Sequence, residues 1–505
     1  MTARFDEEAD LIVVGFGAAG AATALRASER GASVILVEKQ AEDRHTSNTR
    51  MSGGLLMTVN DVDAATEYLK FCCGGMVPDA PLRALAERAS TLKPWLEELA
   101  PNLGLKRVNG AEHPDFPGAH GIDAYQGGNP RVRIDPAVKS GLMLDDALKS
   151  ALAKTKVDIR WSSPAQRLVR DEGGHVRSII VETPIGPRTL RGRNGIVLTT
   201  GGFEYDEAAK LNYLRTYPMY YYGSPANTGD GIRMAQEVGA DLWHMNQSVG
   251  RGIANFKLKD GSDLGFFISI NPPGYVITDR FGRRFANEES QAKLQHSFYF
   301  DLLVFDPDRG VYPRVPCYWF FDETRRKAGP LANLNLGAHV VGLYEWSSDN
   351  SQEVESGWIA KGNTIFEAAK AAGLDDPEAA ARSVEDYNAT CRNGAADPFG
   401  RAKETLVPIA APPYYCVKLW PGGSNTTGGP RRDEHARVLN AFGAPIPGLF
   451  AAGELGQVSG LIYPADGFNL TEAICYGQIA AETALSNRKL EALPGTHEDP
   501  RATAR

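Results

Sequence analysis

The chain has 505 residues, 43% apolar and 23% charged, with 62 acidic against 54 basic side chains and a formal net charge of -8. That length exceeds one core, so two or more domains are expected, and the mixture is that of a globular protein rather than a disordered one. The negative balance argues against a nucleic-acid partner, and six scattered cysteines lack the spacing of a metal site or disulfide scaffold.

No apolar run reaches the roughly 18 residues that a membrane span needs. The first ten residues are polar and acidic, without the pattern of a signal peptide, so a cytoplasmic protein is expected. The basic pairs Arg283-Arg284 and Arg431-Arg432 are expected on solvated surface.

Ala9 to Val14 is a short apolar run, followed by Gly15-Phe16-Gly17-Ala18-Ala19-Gly20 and an alanine-rich helical stretch to about Arg30. Gly31 ends that helix, and Ala32 to Val37 reads as a second buried strand closing on Glu38 and Lys39. The result is a βαβ unit of the size required by a dinucleotide fold. Gly15 permits the tight turn, Gly17 lets a phosphate approach the backbone, and Gly20 lets helix and strand pack closely. Glu38 stands where a carboxylate accepts hydrogen bonds from an adenosine ribose.

NAD would satisfy that fingerprint equally well; three later segments favour FAD. Ser47-Asn48-Thr49-Arg50-Met51-Ser52-Gly53-Gly54 offers hydroxyls, an amide and close backbone approach, suited to a pyrophosphate and a flavin edge. Thr199-Thr200-Gly201-Gly202 closes a strand beginning at Gly195, and Gly448 to Ala452 is a further strand delivering Gly453 and Glu454, whose carboxylate suits a ribityl hydroxyl. One sheet is therefore expected to draw strands from both ends of the chain.

Between these ends the texture changes to aromatic-rich segments (Phe266 to Pro273, Tyr318 to Phe321) and helical stretches (Ile365 to Ala372, Pro377 to Tyr387). The expected fold is α/β: a Rossmann-like FAD-binding domain over 1–255 and 405–505, with an inserted α+β cap domain over 256–404. Finally, Tyr463-Pro464-Ala465-Asp466-Gly467 turns into a helix expected to start near Asn469 and Leu470. The free N–H groups and positive end of that helix suit a negatively charged partner.

Over nearly the whole chain these segments resemble the fumarate reductase flavoproteins and, most closely in motif, the 3-ketosteroid dehydrogenases. The resemblance implies non-covalent FAD, because Ser47 stands six residues before Gly53 where the succinate dehydrogenase branch carries its flavin-bonding histidine; His45 comes two residues too early. It further implies that the Tyr463 hydroxyl and Gly467 N–H hold a ketone oxygen while an α-proton leaves and a β-hydride passes to flavin N5. That is desaturation of a cyclic, 3-ketosteroid-like or smaller oxo-ring substrate, with an external electron acceptor.

The motif Gly282-Arg283-Arg284-Phe285-Ala286-Asn287-Glu288 matches the same family, but the position of its tyrosine base falls at Ala292. The base is therefore sought among Tyr299, His296, Tyr125 and Tyr220-Tyr221-Tyr222. The fumarate branch's arginine proton donor is missing from Glu289 to Lys293, and its carboxylate-gripping histidine from Gly423 to Gly429. Arg251 is a candidate for holding a substrate carboxylate, with an internal salt bridge as the competing expectation. The alternatives are a flavin enoate reductase of the fumarate or urocanate type and a non-catalytic electron-transfer flavoprotein.

Overall fold

The computed structural model describes residues 5–127, 139–269, 274–289 and 295–486. It divides into two units, one of 1–209, 224–247 and 426–505 and one of 210–223 and 248–425.

The first unit is built on a six-stranded sheet in the order Arg437–Leu439, Pro445–Ala451, Ile196–Leu198, Leu11–Val14, Val34–Val37, Asp158–Arg160. Every pairing is parallel except the one at the Arg437–Leu439 edge. Leu11–Val14 and Val34–Val37 are apolar at every position and wholly buried, as strands covered on both faces must be. The sheet takes its strands from both ends of the chain, as expected.

Helix Ala18–Glu29 packs against the last described helix, Phe468–Ser486. Their approach is close because both faces are lined by alanine and glycine; a Cβ at Gly477 would come within 2.5 Å of the Ala19 carbonyl oxygen. Three smaller sheets among the described residues belong to the same unit. One holds Leu55–Val59, Ile122–Gln126 and Lys106–Gly110 in that order.

The second unit has a sheet ordered Asp263–Phe267, Ser248–Lys257, Tyr414–Thr426, Cys317–Asp322, Tyr275–Thr278. Phe266, Tyr275, Trp319, Phe321 and Tyr415 bury its main core. Helices Ile365–Ala371 and Pro377–Asn393 cover a second cluster around Phe320 and Tyr387. The borders differ from the sequence-based 255/256 and 404/405. Ser248–Lys257 pairs into this sheet, Tyr414–Thr426 is its central strand, and Tyr220–Tyr221 joins that strand at Gly422–Gly423. Composition alone does not mark these borders, because β-rich texture runs across them.

Each basic pair places one arginine inward, contrary to the solvated surface expected. Arg283 is exposed, but Arg284 bonds Glu288 at 2.8 Å and Asp397 at 2.7 Å, and Arg432 is buried with Glu472. Buried carboxylates on other elements supply the reason, and adjacency in sequence cannot show them. Among the described residues no helix is long and apolar enough to cross a membrane, and no cluster of His, Cys, Asp and Glu is suited to a metal.

Candidate functional site

The site in the first unit starts at the end of strand Leu11–Val14. Gly15 has φ +101°, and a Cβ there would meet the Thr199 carbonyl oxygen at 2.6 Å; at Gly20 it would meet the Gly15 carbonyl oxygen at 2.0 Å. Neither position accepts another residue without moving backbone. At Gly17 the nearest atom to such a Cβ is Thr49 Oγ1 at 3.6 Å, so that side is open. Helix Ala18–Glu29 has glycine at its N-cap and no acidic residue in its first turn, so apart from the Ala18 amide, which Thr49 engages, its positive end is left for an anion. These features fit the pyrophosphate of a dinucleotide.

Glu38 closes the cradle. Its Oε2 accepts from Phe16 N and its Oε1 from Gln40 N, both at 2.8 Å, and burial raises its pKa. Lys39 pairs with Asp230 and bonds Thr228. Ala18 N donates to Thr49 Oγ1 at 2.8 Å, which ties the Ser47–Gly54 segment to the glycine turn. Ser47 caps the short helix Asn48–Met51, Met51 is buried, and the Ser52 hydroxyl donates to Thr49 O. Gly53 O accepts from Gln126 Nε2 at 2.7 Å, while Gly54 has φ +63° against Ser140. His45 is enclosed by the rings of Phe16 and Trp161, and burial lowers its pKa to about 3.

Strand Ile196–Leu198 leads to Thr200, whose Oγ1 is buried with no partner among the described residues, and to Gly201 and Gly202. Beyond strand Pro445–Ala451, Gly453 turns with φ +77° into Glu454. Asn48 Nδ2 donates to both Glu454 oxygens at 2.8 and 3.0 Å, and Asn227 Nδ2 adds a contact at 3.2 Å. A second carboxylate, Glu204, lies behind and accepts from Thr426 N at 2.8 Å. Burial, then the Glu204 charge, pushes Glu454 up to about 8; burial pushes Glu204 up to about 7. Sequence reading missed Glu204 and Asn227, whose signal was confined to their place beside glycine-rich turns.

The Tyr463–Gly467 turn is held from below. Pro464 O accepts from the Tyr68 hydroxyl and from Glu112 N at 2.9 Å, and Ile462 N donates to Cys72 O at 3.0 Å. Gly467 has φ +84°, and a Cβ there would meet Leu56 N at 2.3 Å. Among the described residues its amide has no hydrogen-bond acceptor. Tyr463 is half-buried, its ring edge-on to Phe468 at 6.1 Å. Asn469 Oδ1 accepts from Gln457 Nε2 at 3.0 Å, Leu470 is buried, and the helix begins at Phe468, one residue before the expected start. Arg432 supports the neighbouring turn: it donates to Ala451 O at 2.9 Å and Gly453 O at 3.1 Å and pairs with Glu472 in full burial. Tyr125 stands opposite Leu56 in the small sheet, with the Lys93 ammonium 5.3 Å from its ring centre.

The remaining candidates lie in the second unit. The Tyr299 ring is buried against Gly250, and its phenol is pushed up by burial. His296 Nδ1 lies 3.1 Å from Gly250 O and its Nε2 3.1 Å from Arg251 Nη2. A guanidinium only donates, so Nε2 accepts and the proton sits on Nδ1, donated to Gly250 O. Tyr221 OH is 2.7 Å from Ser248 Oγ, Tyr220 lies edge-on to Trp420, and Tyr222 packs with Phe267. Ala292, where the family's tyrosine would stand, is outside the described residues. The Gly282–Glu288 motif builds structure: Glu288 is fully buried between Arg284 and Arg401.

Comparison with known proteins agrees with this cradle. The family model for an FAD binding domain matches residues 10–470. The chain belongs to that family. FAD is its cofactor, and it is an FAD-dependent oxidoreductase. A 3-oxosteroid 1-dehydrogenase of Mycolicibacterium smegmatis is 27% identical over 96% of this chain and 99% of its own length. A probable fumarate reductase of Shewanella frigidimarina is 28% identical over 95% of this chain and 75% of its own. In fold, the chain is similar to the crystal structure of 3-ketosteroid delta1-dehydrogenase from Sterolibacterium denitrificans, with a TM-score of 0.78 and 24% identity over 95% of this chain and 100% of the other.

Proposed function

We propose that this flavoenzyme desaturates a ring ketone, removing hydrogen from the carbons α and β to the carbonyl. One observation carries the proposal: the Tyr463–Gly467 turn offers a phenol and an unengaged main-chain amide within five residues, on a backbone anchored by Tyr68 and Glu112. Two such donors on one carbonyl oxygen stabilise the enolate that forms as the α-proton leaves. The positive φ of Gly467 and its contact with Leu56 fix the direction of the N–H, so the donor needs no reorganisation during the reaction.

Bound FAD supplies the hydride acceptor, and an external electron acceptor restores it. Gly15, Gly17, Gly20 and the Ala18–Ala19 helix start hold its pyrophosphate, Glu38 its ribose, and Asn48 and Glu454 its ribityl side. The attachment is non-covalent: Ser47 stands where a flavin-bonding histidine would, and His45, two residues earlier, is enclosed by Phe16 and Trp161. Tyr125 takes the α-proton. It pairs with Leu56, the residue on which Gly467 packs, and a tyrosine base needs a nearby cation such as Lys93. His296 is less suited, because Arg251 occupies its basic nitrogen.

Anaerobic mixing tests the reading. The holoenzyme's flavin absorbance is expected to bleach with a saturated ring ketone. A flavin that stays oxidised with ketones, yet is reoxidised by an unsaturated acid after dithionite reduction, marks an enoate reductase instead. The fumarate reductase relative favours that second reading.

A further inference from the structure

Two carboxylates of the first unit stand together without a cation. Glu204 is buried, and Glu454 is half-buried in front of it. Glu454 accepts only from the side-chain amides of Asn48 and Asn227. Glu204 accepts from Thr426 N at 2.8 Å and Thr426 Oγ1 at 3.3 Å, and the Asn227 amide acts on it as well. Among the described residues neither acid pairs with a lysine, arginine or histidine. Glu472, a third buried carboxylate, differs in having the Arg432 guanidinium. Charges on the surrounding elements are matched among themselves: Arg50 with Asp145, Lys39 with Asp230, and Arg233 with Asp206.

The glycine pair after strand Ile196–Leu198 makes room for this arrangement. A Cβ at Gly201 would lie 2.7 Å from Asn227 Oδ1, and one at Gly202 would lie 2.6 Å from Glu204 Oε1. The pair also borders the start of helix Ala18–Glu29. A Cβ at Gly453, the residue before Glu454, would lie 3.1 Å from Ala19 Cβ, and Asn48 precedes Thr49, which accepts from the Ala18 amide. A dianionic pyrophosphate at that helix start adds negative charge near two acids that already repel, and a bound cofactor takes water away from Glu454. Both effects favour the protonated form. Burial holds each acid above the ordinary carboxylate range even before that, and the Glu204 charge adds to the effect at Glu454.

We propose that Glu204 and Glu454 share a proton taken up from solvent when FAD binds. The proton goes onto a carboxylate oxygen of the pair and belongs to both acids together. Glu204 is a positioning residue here, because it acts on the cofactor through Glu454. The inference rests on Glu454 lying at FAD, as proposed above, and is independent of the substrate.

The test titrates the FAD-free protein with FAD by calorimetry from about pH 6 to 9, in pairs of buffers that differ in ionisation enthalpy. The wild type is expected to take up about one proton per FAD near pH 8, and to lose up to about tenfold in FAD affinity per pH unit above that. Glu204→Gln removes the repulsion and should move the window of uptake down by about one pH unit. Glu204→Gln combined with Glu454→Gln should bind FAD without proton uptake, with circular dichroism showing that the variants fold. Binding enthalpies of the wild type that do not depend on buffer overturn the shared proton, and this arm needs no variant. Uptake that persists in the double variant overturns it too, and an unmoved window in Glu204→Gln removes Glu204 from the pair. FAD affinity unchanged by Glu454→Gln at every pH takes Glu454 away from the cofactor and sinks that placement. Weaker affinity in Glu454→Gln without any wild-type uptake keeps the placement and overturns the proton alone.

Discussion

The Glu454 turn of the first unit and the Arg251 cluster of the second treat charge differently. In the first, Glu454 is held by Asn48 and Asn227, Glu204 by Thr426, and Arg432 by Glu472 and two carbonyls. In the second, Arg251 rests on two aromatic rings and a neutral histidine, with no carboxylate beside it among the described residues. Charge matched from within holds backbone in place, and removing one partner costs stability. A cation resting on aromatic faces holds little backbone, and removing it is expected to leave the fold nearly untouched.

Substitutions in the first unit test that contrast most severely. Gly20→Ala is expected to abolish FAD retention, since the new methyl group would lie 2.0 Å from the Gly15 carbonyl oxygen; the flavin-to-protein absorbance ratio of the purified variant measures it. Arg432→Met leaves Glu472 charged and buried, and should lower stability by about 3–5 kcal/mol in urea denaturation, with partial recovery when Glu472 becomes Leu as well. Tyr463→Phe is expected to keep FAD and lose about 10²-fold or more in turnover, the scale of one oxyanion donor. Unchanged turnover would remove Tyr463 from the mechanism.

Smaller effects sharpen the same contrast. The folded values of Glu204 and Glu454 stand near 7 and 8, above the ordinary 4.5, so the folded chain binds more protons than the unfolded one between those limits. Their contribution to stability is fully present below pH 4.5 and is lost as the pH rises toward 8. Melting temperatures of the FAD-free protein across that range should fall, and Glu204→Gln should flatten the slope. Lys93→Met should change stability by no more than about 0.5–1 kcal/mol, the range of an exposed cation over a ring.

The backbone half of the site was legible in the sequence because it depends on glycine. Gly15, Gly20 and Gly467 stand where a side chain would strike a carbonyl or a neighbouring strand, and that demand shows in one line of letters. The side-chain half was not. Glu204, Asn227, Arg432 and Tyr68 act on partners 40 to 396 residues away or through a neighbour's amide, and no local spacing records such meetings. The Arg431-Arg432 pair shows the cost most clearly: two adjacent identical residues point to different surroundings, one half-exposed and one sealed beneath the Glu454 turn. The borders of the two units are hidden for a related reason, since strand Tyr414–Thr426 shows its place only through its neighbours at Cys317–Asp322 and Ser248–Lys257.

The close fit of Gly477 against Ala19 has a consequence for biosynthesis. Residues that brace the dinucleotide turn are translated after the whole of the second unit, whose last residue is Asn425. At ordinary elongation rates the brace follows by about 3–12 s. The second unit can thus complete its core while the glycine turn still lacks its backing helix, and cofactor capture becomes a late event in the birth of the enzyme.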